Sequence, residues 1–110
     1  MTSKRTAASK RTSPPRTADY AKAFLKDWER LTRAGRYDTN RLKEAMLLLV
    51  ANEGPLGSEW KDHPLSGGQW QGHRECHVGG DFLLAYTLDD TVKAGAIVFV
   101  RAGTHADLFE

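Results

Sequence analysis

An α/β chain of the α+β kind, an N-terminal helical hairpin packed on a small antiparallel sheet, is the fold that the sequence predicts. Two observations carry this. Between Tyr20 and Val50 apolar residues recur at helical spacing, and beyond His73 three short apolar runs alternate with turn residues. The stretch from Pro55 to Gly72 between these regions is rich in glycine and proline and reads as a long loop.

Thr17 or Asp19 can cap the first helix, Tyr20, Phe24, Leu25, Trp28 and Leu31 form its apolar stripe, and Gly35 is a natural stop. Asp38 or Thr39 opens a second helix with Leu42, Ala45, Met46, Leu49 and Val50 on one side. That helix ends near Asn52 to Gly54, before Pro55. The short link at Gly35 to Tyr37 makes the pair an antiparallel hairpin. Strands are expected at His73 to Val78, Phe82 to Thr87 and Ala94 to Ala102. The turns at Gly79-Gly80 and Leu88 to Lys93 are short enough for an antiparallel meander.

Residues 1–18 contain Lys4, Arg5, Lys10, Arg11 and Arg16 and no acid. This basic, proline-broken segment is expected to be largely disordered, with a short extended piece at Arg11 to Arg16, and to attract polyanions. Residues 19–110 then form the one folded domain. The longest apolar run, Ala45 to Ala51, is too short for a membrane span. With no signal peptide visible and one cysteine, Cys76, a cytoplasmic protein without a membrane partner is expected.

All four histidines lie in the second half: His63, His73, His77 and His105. Imidazole gives or takes a proton near neutral pH. In a strand, His73, Glu75 and His77 share one face, and Arg74, Cys76 and Val78 the other. Asp81 precedes the middle strand. Arg101 and His105 flank Gly103 at the end of the last. RNA brings its own nucleophile, the 2′-hydroxyl, so an enzyme that cleaves it needs a base, an acid and positive charge around the phosphorane. His63, His77 and His105 are candidates for proton transfer. Asp81 can be a base or can orient a histidine. Arg74 and Arg101 offer planar forks of donors to a phosphate. Phe109 either pins the C-terminus or stacks on a base. The set points to a ribonuclease working without a metal or other cofactor. His73, Cys76, His77 and His105 include zinc-ligand types, but no Cys-x-x-Cys pair is present, and strand geometry turns Cys76 away from His73 and His77.

The ordered segments Lys61-Asp62-His63-Pro64-Leu65, Trp70-Gln71-Gly72-His73-Arg74-Glu75-Cys76-His77-Val78, Asp81-Phe82 and Arg101-Ala102-Gly103-Thr104-His105-Ala106-Asp107-Leu108-Phe109 resemble those of the YafQ-type toxins. These belong to the RelE/ParE superfamily of bacterial type II toxin–antitoxin systems. The resemblance covers about residues 19–110. It implies a RelE-like fold and an endoribonuclease that cuts messenger RNA in the ribosomal A site. Its partners would be the ribosome, the mRNA and a cognate antitoxin. It marks His63, His77, Asp81 and His105 as the catalytic group, without deciding which group is base and which acid, Arg101 as a phosphate-stabilising residue and Phe109 as a contributor to substrate positioning; Arg74 and Lys61 are further candidates for substrate binding. The alternative is a ParE-like toxin that inhibits DNA gyrase by binding; the histidines argue against it, because binding alone needs no proton-transfer groups. Phe82 stands where a Trp is frequent, and Gly79-Gly80 replaces a stiffer turn. The N-terminal strand of the fold is poorly marked.

Overall fold

The computed structural model describes residues 14–110. Its elements are β1 (Thr17–Tyr20), α1 (Lys22–Ala34), α2 (Thr39–Ala51), β2 (His63–Pro64), β3 (Arg74–Gly79), β4 (Phe82–Asp89), β5 (Ala96–Gly103) and α3 (His105–Phe109). The strands form one sheet in the order β1-β5-β4-β3-β2. The α1–α2 hairpin covers one side of it. Phe24, Leu31, Leu42, Ala45 and Leu49 pack there against Cys76, Leu84, Tyr86, Ile97 and Phe99. Each buried Leu, Ile or Phe among them contributes about 1.5–3 kcal/mol by leaving water.

Both helices end where the sequence predicts. Gly35 takes a left-handed φ of 72° and returns its N–H to Leu31, and Asp38 caps α2 by accepting from the Arg41 N–H at 3.0 Å. The expected meander is β3-β4-β5, in which β4 runs antiparallel to both β3 and β5.

The start of the first helix is a correction. Thr17 to Tyr20 are not its first turn but an edge strand running parallel to β5, with Thr17 opposite Ala96 and Tyr20 opposite Phe99. The sheet is therefore mixed. Ala21, with no side-chain cap, begins the helix instead. Pairing with the open edge of β5 outweighs the capping preference of Thr17 and Asp19. Tyr20 still meets the core, its ring 5.8 Å from Phe24 and 5.7 Å from Phe99. Folded contacts also begin before residue 19: the Arg16 N–H donates to Val50 and the Asn52 amide to Pro14. Most of the expected extended piece at Arg11 to Arg16, and most of the basic segment, lies outside the described residues.

A bulge places one of the predicted site residues. Ile97 and Phe99 face the helices, and simple alternation would send Arg101 after them. The register with β4 slips by one residue between Ala85 and Tyr86, leaving Val100 without an opposite number. Arg101 and Gly103 therefore turn to the helix-free side, while Ala102 is buried in the main core. Among the described residues, no helix is long and apolar enough to cross a membrane.

Candidate active site on the helix-free face

The helix-free side of the sheet carries the candidate site, and the strand register lays it out. His63 lies opposite Glu75, Glu75 opposite Ala85, and Ala85 opposite Arg101, so these residues form one row across four strands. In the neighbouring row His77 lies opposite Leu83, and Leu83 opposite Gly103, two residues before His105. Leu83 and Ala85 form a buried apolar floor with Leu108, flanked by Trp70 and Phe109. Titratable groups stand at both ends of that floor.

At the β2–β3 end, Glu75 sits between two histidines. Its Oε2 is 3.1 Å from His63 Nε2 and 3.9 Å from His77 Nε2, and the two rings are 6.0 Å apart. Glu75 is only 3% exposed, and its Oε1 has no hydrogen-bond partner among the described residues. His63 Nδ1 lies 2.7 Å from the Lys61 carbonyl. A carbonyl only accepts, so Nδ1 carries the hydrogen of that bond and Nε2 is the ring atom turned toward the Glu75 carboxylate. Strand alternation puts Glu75 on this face, and its burial between two imidazoles singles it out.

At the β4–β5 end, Asp81 follows the Gly79-Gly80 turn, and its Oδ1 accepts from both the His105 N–H and His105 Nδ1, each at 3.2 Å. That bond fixes the tautomer and leaves Nε2 of His105 for chemistry. His105 opens α3, a short helix held by a capping box in which Thr104 and Asp107 satisfy each other's backbone N–H groups. Those bonds also hold the Asp107 carboxyl below its ordinary pKa, the Thr104 backbone N–H first, assisted by Arg30. Phe109 lies 5.2 Å from the His105 ring and 5.0 Å from Trp70, so it both pins the C-terminus and presents a ring edge to the site. A shallow cavity of about 260 Å³ opens beside it, lined by Gln69, Trp70, His73, Val100 and Arg101.

The sequence-predicted groups are thus brought to one face but in two clusters. His73 precedes β3 rather than extending it, and its ring packs edge-on to Trp70. Arg101 faces the site, yet Asp27 of α1 holds its guanidinium by Nε at 2.7 Å and Nη2 at 3.1 Å, raising its pKa further. The bonds to protein use Nε and Nη2, and Nη1 has no hydrogen-bond partner among the described residues. Arg74 is a correction. It points to the helix side, where Asp62 takes its Nη2 at 2.9 Å, so it cannot reach a phosphate at the histidines. Lys61 contributes its carbonyl to His63; its side chain is exposed at the rim. Phe82 packs in the core against Tyr37, 5.3 Å between rings, rather than stacking at the site. Cys76 is buried, and burial pushes its thiol up to about 12, so it supplies no nucleophile.

The family model for the bacterial toxin of type II toxin–antitoxin systems, YafQ, matches residues 16–110. The chain belongs to the YafQ toxin family. The mRNA interferase toxin YafQ of Escherichia coli K12 is 42% identical over 94 residues, which cover 86% of this chain and 96% of that protein. The YafQ chain of the crystallised E. coli DinJ–YafQ complex superposes with a TM-score of 0.74 at 42% identity, over 86% of this chain and 99% of that one. A metal-bound toxin from Helicobacter pylori gives a TM-score of 0.72 at 36% identity, over 84% and 98%. In this YafQ-family chain, His63, Glu75 and His77 offer three ligand atoms within 4.8 Å of one another, a set of a size and type that zinc accepts.

Proposed function

We propose that this YafQ-family protein is the toxin of a type II toxin–antitoxin pair and an mRNA interferase, an endoribonuclease that cuts message in the ribosomal A site in the cytoplasm. Its catalytic domain is residues 19–110, extended backward by β1. A cognate antitoxin would neutralise it, as the E. coli relative has been crystallised with DinJ. The observation that carries the reading is the pairing of two proton-transfer clusters, His63–Glu75–His77 and Asp81–His105, at opposite ends of one apolar floor.

The register sets two strand spacings, roughly 10 Å of backbone, between His77 and the Gly103 turn that leads to His105. Side chains reaching inward from each end can flank a single phosphodiester, one cluster at the attacking 2′-oxygen and the other at the departing 5′-oxygen. Opposed acid and base of this kind supply about 10²–10⁴-fold each. Arg101 Nη1 supplies charge to the phosphorane, and Trp70 and Phe109 flank the cavity for a base. No step requires a metal.

The test is cleavage of a defined message on programmed ribosomes, with free RNA as the control. The bound message is cut and free RNA is spared. A chelator that takes transition metals but leaves magnesium changes nothing. Added zinc inhibits, because it occupies the groups that move protons. Loss of cleavage under the chelator would contradict the metal-free reading.

A further inference from the structure

We propose that Asp62 is a positioning residue for His63, clamped by Arg74 and Tyr86 on the helix side of the sheet so that the next side chain meets Glu75 on the other. The proposal deepens the reading above and rests on it for its kinetic consequence. Asp62 and His63 are consecutive, so an extended backbone sends them to opposite faces. The Asp62 carboxylate accepts from Arg74 Nη2 at 2.9 Å and from the Tyr86 hydroxyl. Arg74 and Tyr86 are themselves register partners on β3 and β4, so one carboxylate spans two strands.

The backbone alone holds β2 weakly. The strand is two residues long, and Pro64 has no N–H to give. Just before it, Lys61 has a left-handed φ of 50°, an unfavourable conformation for a side-chain-bearing residue that persists only when its surroundings enforce it. Two anchors do so. Trp60 is buried beneath the Arg41 guanidinium, 3.9 Å from the ring centre, and Asp62 is tied to Arg74 and Tyr86. A slip of one residue would carry His63 to the helix side and dismantle its contact with Glu75. This gives Arg74, set aside as a phosphate ligand, its place in the site's architecture.

The test is Asp62→Ala, with Asp62→Asn as the conservative variant, each also built on His63→Ala. Asp62→Ala should lower kcat for cleavage of ribosome-bound message by about 10²-fold, the usual cost of misplacing a reacting group by about 1 Å. KM should stay within about twofold, and Asn should restore most of the loss. On the His63→Ala background, Asp62→Ala should cost nothing more. NMR supplies a readout independent of activity. The ring contact between His63 and His77 should vanish in Asp62→Ala and persist in Asp62→Asn. Retention of that contact in Asp62→Ala, or an equal loss of kcat with and without His63, would overturn the proposal. Wild-type protein that keeps the contact but cuts no message would refute the ribonuclease reading while the ring contact still decides the clamp.

Discussion

His105→Ala is expected to slow cleavage of ribosome-bound message by about 10³-fold, a mid-range loss for one general acid or base. The fold should hardly notice. The His105 side chain is 56% exposed, and its protein contacts are Asp81 Oδ1 and the Phe109 ring. The backbone N–H that Asp81 also accepts, and the Thr104–Asp107 capping box, survive the substitution. Tm should therefore stay within about 3 °C of wild type. Full activity in His105→Ala would remove one of the two clusters from the mechanism.

Asp27→Ala is expected to have the largest effect on stability. Asp27 is 4% exposed and accepts four hydrogen bonds: two from Arg101, one from Arg30 at 3.1 Å and one from the Ala102 N–H at 3.0 Å. The reason lies in the sheet. β1 stops at Tyr20, opposite Phe99, while β5 runs on to Gly103, so among the described residues the far end of β5 has no neighbouring strand on that edge. Asp27 takes the place of the missing strand for Ala102 and neutralises Arg101. Its removal leaves the buried Ala102 N–H without its acceptor and the Arg101 guanidinium without its carboxylate, keeping only the Asp107 carbonyl at 3.4 Å. Because Arg101 keeps 28% exposure, the cost belongs near the low end for breaking such pairs, about 3 kcal/mol. For a domain of this size that lowers Tm on the order of 15 °C, measurable by thermal denaturation. A shift of only a few degrees would mean that water replaces the carboxylate.

The helices and the β3-β4-β5 meander were legible in the sequence because each announces itself locally, by a 3.6-residue stripe closed at Gly35 or by alternation broken at Gly79-Gly80. β1 was not, because its four residues are all exposed and it exists only through pairing with β5, nearly eighty positions away. The one-residue slip at Val100 likewise leaves no mark in composition, although it decides which way Arg101 points. Asp27 did leave a trace: a lone carboxylate inside the apolar stripe of Phe24, Trp28 and Leu31 signals a buried partner. His63, His77, Asp81 and His105 could be nominated from residue type and order. Their division into two clusters, the place of Glu75 between the imidazoles, and the diversion of Arg74 to Asp62 depend on register, which no spacing of residues along the chain encodes.

In the proposed reaction the RNA's own 2′-hydroxyl, not water held by a metal, attacks the phosphorus between the two clusters. The most direct measurement is the chemistry of the cut ends, read by mass spectrometry on message cleaved on programmed ribosomes by purified protein. The expected products are a 2′,3′-cyclic phosphate on the upstream fragment and a 5′-hydroxyl on the downstream one, with no cutting of a message whose target residue carries a 2′-deoxy sugar. A 3′-hydroxyl with a 5′-phosphate, or unimpaired cutting at the deoxy position, would contradict it.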